Sequence, residues 1–133
     1  MMFNHSCYYF SQERKWWFEA KKQCEEKQSN LVMIKSIEKQ TFIKNIVQNY
    51  TKQYWIGLTD AGQEGDWKWV DGESCNCTGN NRLHWYSREP DNWDWHQHSM
   101  DEDCAVIKAN GGWSDIRCSD TERWICEKQT SVC

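Results

Sequence analysis

At 133 residues the chain has room for one domain around one hydrophobic core. Its formal net charge of −4 argues against a nucleic-acid partner, which draws on a basic stripe, and no apolar run approaches the ~20 residues of a membrane span. Leu, Ile, Val and Phe are sparse, but ten Trp and five Tyr supply another kind of core, since each large aromatic buries roughly 150–250 Å².

In chain order, Cys7-Tyr8-Tyr9-Phe10 reads as a short first strand. A helix is expected from about Lys15 to Lys27, with Trp17, Ala20 and Cys24 on one face at i, i+3 and i+7. Leu31-Val32-Met33-Ile34 is a short apolar extended run. Ser36 is a good N-cap for a second helix reaching about Tyr50, whose apolar face is Phe42, Ile43, Ile46, Val47 and Tyr50. After Lys52 the pattern changes. Trp55-Ile56-Gly57-Leu58 reads as a buried strand and Trp67-Lys68-Trp69-Val70 as an alternating one. Residues 71–103 show little periodicity, and a stretch that long inside a small domain is expected to be functional. Cys104-Ala105-Val106-Ile107-Lys108 and Trp124-Ile125-Cys126-Glu127 close the sheet. Helices early and strands around a long loop give an α+β layout in one domain, residues 1–133. Trp17, Trp55, Trp67, Trp69, Trp113 and Trp124 are expected in the core.

Eight cysteines in a small chain point to disulfides and an oxidising, extracellular compartment. Three N-glycosylation sequons agree: Asn4-His5-Ser6, Asn49-Tyr50-Thr51 and Asn76-Cys77-Thr78. No leader pattern is visible, and the chain reads as an ectodomain or mature form. The spacings suggest Cys24–Cys126, tying the first helix to the last strand, and Cys104–Cys118, stapling the end of the loop. Cys75 and Cys77 either bridge each other or pair across two chains, giving a disulfide-linked homo-oligomer. Cys7–Cys133 stays open.

The only proline, Pro90, stands between two carboxylates in Arg88-Glu89-Pro90-Asp91-Asn92-Trp93. An X-Pro bond turns cis at modest cost, and a cis Glu89–Pro90 bond would throw both flanking side chains to one side. Two such carboxylates repel unless a cation sits between them. A hard cation with oxygen ligands fits, and calcium fits best. Trp93 then offers an apolar plate beside the ion, an arrangement that could hold a sugar.

Taken together, Trp55-Ile56-Gly57-Leu58, Glu89-Pro90-Asp91, Glu102-Asp103-Cys104, Trp113-Ser114-Asp115 and Trp124-Ile125-Cys126 resemble the C-type lectin-like domain over almost the full length. The resemblance implies a double-looped α+β fold with two helices, antiparallel strands and a long calcium-binding loop. It implies sugar binding through Ca²⁺ coordination of vicinal hydroxyls, with no catalysis. Carried over by position, the principal site uses Glu89, Asp91, Glu102 and Asp115, with Ser114 where the family usually has Asn. A second calcium site takes Asp60, Glu64, Asn92 and Asp103. The sugar would lie on Glu89, Asp91, Trp93, Glu102, Ser114 and Asp115. Mannose-type members usually read Glu-Pro-Asn and galactose-type members Gln-Pro-Asp, whereas this chain reads Glu-Pro-Asp. Trp93 stands where galactose-binding relatives, the asialoglycoprotein receptor among them, stack the sugar. Their glycine-rich loop is here the bulkier stretch Asp94 to Asp101, and Val106 replaces a His of some N-acetylgalactosamine-preferring members. The implied partners are galactose-terminated glycans of glycoproteins or glycolipids, met by a cell-surface receptor or secreted lectin with no membrane contact of its own.

Blander readings stand beside these. By composition alone the acidic residues are a solvated loop, and Trp93 a loop aromatic that merely packs. Trp95 could widen the sugar site. His96 and His98, with His84, Cys75 and Cys77, could be read as a zinc site, but thiols seldom stay free in an oxidising compartment. Charging of the two histidines near pH 6 would instead allow acid-triggered release. No nucleophile with a matched base supports an enzyme. The competing function is a receptor of the same fold for a protein or glycolipid, or for mannose-type sugars, with weak or no calcium dependence.

Overall fold

The computed structural model describes residues 2–62, 65–75, 103–130 and 133. A first hairpin joins β1 (Met2–Phe3) to β2 (Ser6–Phe10). Its two-residue turn puts Asn4 and His5 at φ of 51° and 65°, the left-handed pair that matches the strand twist of a tight hairpin. The sequence reading had only the second of these strands. Then come α1 (Trp17–Glu26), β3 (Asn30–Leu31), α2 (Ile37–Tyr50), β4 (Tyr54–Thr59), β5 (Lys68–Trp69), β6 (Cys104–Ile107), β7 (Trp113–Ile116) and β8 (Arg123–Gln129).

Helix α1 begins two residues later than its apolar spacing suggests. Lys15 is committed elsewhere: its N–H and C=O exchange 3.0 Å hydrogen bonds with Glu122, forming an isolated bridge. The helix ends where Gln28 takes a φ of 60° and Ser29 donates through N–H and Oγ to the Cys24 carbonyl. Helix α2 starts as its sequence predicts, with Ser36 Oγ accepting the Lys39 N–H at 3.1 Å. Of its expected apolar face, Ile43, Ile46 and Val47 are buried, whereas Tyr50 is exposed.

Strand β8 is the spine of the sheet. It pairs antiparallel with β2 along one edge. Its other edge is shared by β3, antiparallel at Glu127 and Cys126, and β4, parallel at Arg123 and Trp124. From β4 the sheet continues through β6 to β7, both antiparallel, with β5 beside β4. The strands are therefore mostly antiparallel, but the β4–β8 pair makes the sheet mixed. β7 is a separate strand beyond the two expected to close it.

The sheet is buried on both faces. Along β4, Tyr54, Ile56 and Leu58 join the core that includes Ile43 and Val47 of α2, while Trp55 joins the core of Trp17, Ala20 and Cys24 on α1. The period-2 alternation of a strand thus sends alternate residues to opposite helices, which is why β4 reads as one continuous apolar run. All six tryptophans expected inside are at most 4% exposed. Gly57 sits where β4 meets the chain after β3: a Cβ there would lie 2.8 Å from the Leu31 carbonyl oxygen.

Three disulfides lock this frame. Cys24–Cys126 joins α1 to β8 and Cys104–Cys118 joins β6 to the segment after β7. Cys7–Cys133, left open by the sequence, ties β2 to the last residue. Cys75 is also disulfide-bonded, and none of the described cysteines is free. Among the described residues no helix is long and apolar enough to cross a membrane.

Candidate functional site

The strand ladders bring three of the expected ligand residues to one end of the sheet. Thr59, the last residue of β4, pairs with Cys104, the first of β6, and Cys104 pairs with Ile116 of β7. Asp60 and Asp103 lie one residue beyond that row, and Asp115 one residue inside it, opposite Ala105. Neighbouring strands are only ~4.8 Å apart, so three aspartates remote in sequence lie on adjacent chain segments at one end of the sheet.

Backbone geometry fixes them. The Asp60 N–H donates to the Asp103 carbonyl at 3.0 Å. Thr59 Oγ1 donates to the same carbonyl at 2.5 Å and accepts the Ala61 N–H at 3.1 Å. Asp60 Oδ2 in turn accepts the Gly65 N–H at 2.8 Å. Asp60 and Asp115 are each 2% exposed and Ser114 3%. Asp103 Oδ1 is buried with no hydrogen-bond partner among the described residues. A buried carboxylate oxygen left in that state costs free energy unless a cation or donor reaches it. Oxygen-only, anionic donors suit a hard cation such as Ca²⁺. Among the described residues no three His, Cys, Asp or Glu side chains form a group able to hold a metal, so those present would be part of a ligand set.

Glu64, Glu89, Asp91, Asn92, Trp93 and Glu102 lie outside the described residues, as do Pro90, Cys77, His84, Trp95, His96 and His98. The expected cis bond, the sugar plate and the histidine readings fall there with them. Ser114 pairs with the fully buried Val106 across β6 and β7.

Two supporting residues escaped the sequence reading. Thr59 looks like an ordinary strand residue, yet it clamps Asp60 to Asp103. Gln40 is a buried polar residue on α2: its Nε2 donates to the Gly111 carbonyl at 2.7 Å, and its Oε1 accepts the Trp113 indole N–H at 3.1 Å. It thereby holds the β6–β7 turn and the first residue of the strand that carries Ser114 and Asp115. The signal for it was available, since Gln40 precedes Ile43 and Val47 at i+3 and i+7 on the apolar stripe.

The family model described as the lectin C-type domain matches residues 13–128. The chain belongs to the C-type lectin domain family. This C-type lectin domain is 45% identical over 122 residues to C-type lectin domain family 10 member A of Mus musculus, covering 92% of the chain and 38% of that protein. It is 41% identical over 127 residues to asialoglycoprotein receptor 2 of Homo sapiens, covering 96% and 39%. The chain thus spans about two-fifths of the length of these relatives. Among solved structures it resembles the human scavenger receptor C-type lectin carbohydrate-recognition domain, with a TM-score of 0.87 and 41% identity over 97% of this chain and 95% of that one. The domain is a C-type lectin carbohydrate-recognition domain related to the asialoglycoprotein receptors, with disulfides suited to an extracellular setting.

Proposed function

We propose that this domain binds glycans in a calcium-dependent manner, with terminal galactose-type sugars as the preferred class, and performs no catalysis. The observation that supports the reading is the placement of Asp60, Asp103 and Asp115 at neighbouring ends of β4, β6 and β7, with an Asp103 carboxylate oxygen buried and without a hydrogen-bond partner among the described residues. Glu89, Asp91, Glu102, Ser114 and Asp115 would hold the principal ion, and Asp60, Glu64, Asn92 and Asp103 a second. When bound, calcium supplies open coordination positions for a pair of sugar hydroxyls. The carboxylates accept hydrogen bonds from those hydroxyls and donate none, and Trp93 offers its ring to the apolar face of the sugar. Galactose preference rests on Trp93 and on likeness to an asialoglycoprotein receptor. Galactose-terminated glycoproteins or glycolipids are then the partners, met outside the cell. A glycan array with and without chelator tests this. The expected result is a galactose-terminated signal that chelator abolishes.

A second reading is a receptor of the same fold for a protein or glycolipid without strong calcium dependence. Ser114 favours it: a short hydroxyl, almost fully buried opposite Val106, stands where the family usually presents an amide. An array without any chelator-sensitive sugar signal would move the assignment to this reading.

A further inference from the structure

A second concave site lies at the other end of β4. Tyr54 opens that strand and Asp60 follows its close, which separates the two by roughly 20 Å at ~3.3 Å per residue. Here the end of β2, the C-terminal turn of α2 and the starts of β4 and β8 enclose a cleft of about 380 Å³. Its walls include Phe10, Tyr50 and Tyr54, with Gln12, Lys52 and Arg123 at the same cleft.

The three rings form one packed cluster. Phe10 meets Tyr50 and Tyr54 edge-on, with centroids 5.6 and 5.4 Å apart, and Tyr50 and Tyr54 are 6.4 Å apart. Tyr50 is 40% exposed although it ends an otherwise apolar helix face. The sequence reading placed it on the apolar face of that helix, and here it lines the cleft. Lys52 and Arg123 have no ion-pair partner among the described residues. The nearest acid in sequence, Glu122, accepts a 2.9 Å hydrogen bond from Gln53 Nε2 and feels the charge of Arg14 as well as Arg123, so it offsets Arg123 only in part. Burial pushes the Tyr54 phenol above its ordinary pKa, and the positive Arg123 opposes that rise, which puts the guanidinium within electrostatic reach of the aromatic wall. Two cations without an ion-pair partner among the described residues, on a chain of net charge −4, make this a local positive site on an acidic protein.

We infer that this cleft is a second, calcium-independent binding site for an anionic sugar residue, a pyranose bearing a carboxylate or sulfate. The acid group meets Lys52 and Arg123, the C–H face lies on Tyr50, and Gln12 reaches a ring hydroxyl. The volume falls at the small end of ligand pockets, the scale of one sugar unit rather than a chain. A planar guanidinium beside an ammonium suits an oxyanion, and the exposed ring of Tyr50 suits the apolar face of a sugar. Among the described residues no acidic side chain lines the cleft, in contrast to the far end of β4, where Asp60 and Asp103 lie.

The test is an amide chemical-shift titration of the folded domain, in calcium, with glucuronate and glucose 6-sulfate as probes and with glucose and acetate as controls. Resonance mapping separates this site from the acidic end of the sheet. Expected are shifts confined to residues 50–54, Phe10, Gln12 and Arg123, at least fivefold tighter for one or both acidic sugars than for either control. Lys52→Gln with Arg123→Gln should weaken that binding at least fivefold, and so should Tyr50→Ala, a change at an exposed ring. If only one acidic sugar binds, the acid is identified. The inference fails if neither acidic sugar shifts these amides, if glucose or acetate matches them, or if both variants titrate like the parent.

Discussion

The amide of Asp60 donates to the carbonyl of Asp103 at 3.0 Å, so two aspartates that flank different strands, β4 and β6, are joined directly through the main chain. Thr59 reinforces the pair through its hydroxyl. The Asp103 carboxylate oxygen, buried without a hydrogen-bond partner among the described residues, raises the energy of the folded state unless a cation reaches it. Calcium at 100 times its Kd should therefore add about 2.7 kcal/mol of stability, a rise in Tm of roughly 10 °C for a domain of this size. Thermal melts by circular dichroism with calcium and with chelator measure it. Superimposable melts would remove the cation from the account.

Ser114 offers a hydroxyl in place of the amide usual in the family. Ser114→Asn should tighten calcium binding about tenfold, equivalent to ~1.4 kcal/mol, read by calorimetric titration. An unchanged or weaker affinity would mean that the buried position opposite Val106 leaves no room for the amide to reach the ion.

Gln40 joins α2 to the β6–β7 turn through Gly111 and Trp113. Gln40→Leu keeps most of the volume but removes both bonds. It should cost about 2–3 kcal/mol in urea unfolding, because buried polar groups lose their partner. Calcium affinity should fall with it, since β7 carries Ser114 and Asp115. A loss of stability with full calcium affinity would confine Gln40 to the fold.

A methyl at Gly57 would meet the Leu31 carbonyl oxygen at 2.8 Å, and the Val32 carbonyl oxygen at 3.1 Å. Both contacts are backbone and cannot swing aside. Gly57→Ala should destabilise by about 1–3 kcal/mol, seen as a lower urea midpoint. Gly62 meets nothing within 4 Å, so Gly62→Ala serves as the control.

Tyr8 is pushed up to about 12 by burial first, then by the negative Glu127. Glu127 is itself ion-paired to Lys39 and accepts the Met33 N–H at 2.9 Å. The unfolded phenol ionises near 10, so between pH 10 and 12 the unfolded chain loses its proton first and stability falls as pH rises. Below pH 10 the contribution is complete. Tyr8→Phe should flatten that part of the stability curve in urea melts at stepped pH. An equally steep decline in the variant would place its origin in other groups.

The helices, the six buried tryptophans and two disulfides were legible because each leaves a local trace. Trp17, Ala20 and Cys24 repeat at helical spacing, Ser36 is a capping residue, and Trp55 to Leu58 is an apolar run bounded by polar chain. The nearness of Asp60, Asp103 and Asp115 has no such trace. It depends on the register of three strands, and residue-level pattern gives the period of a strand without its partner. The family resemblance could name those positions, but only the ladders put them at one end of the sheet. The parallel β4–β8 pair, the Cys7–Cys133 bridge and the buried role of Gln40 were decided in the same way, by contacts between segments far apart in the chain. Sequence determines which residues are able to be inside and which chemistry they carry; the closing of distant segments upon one another determines which of those chemistries meet.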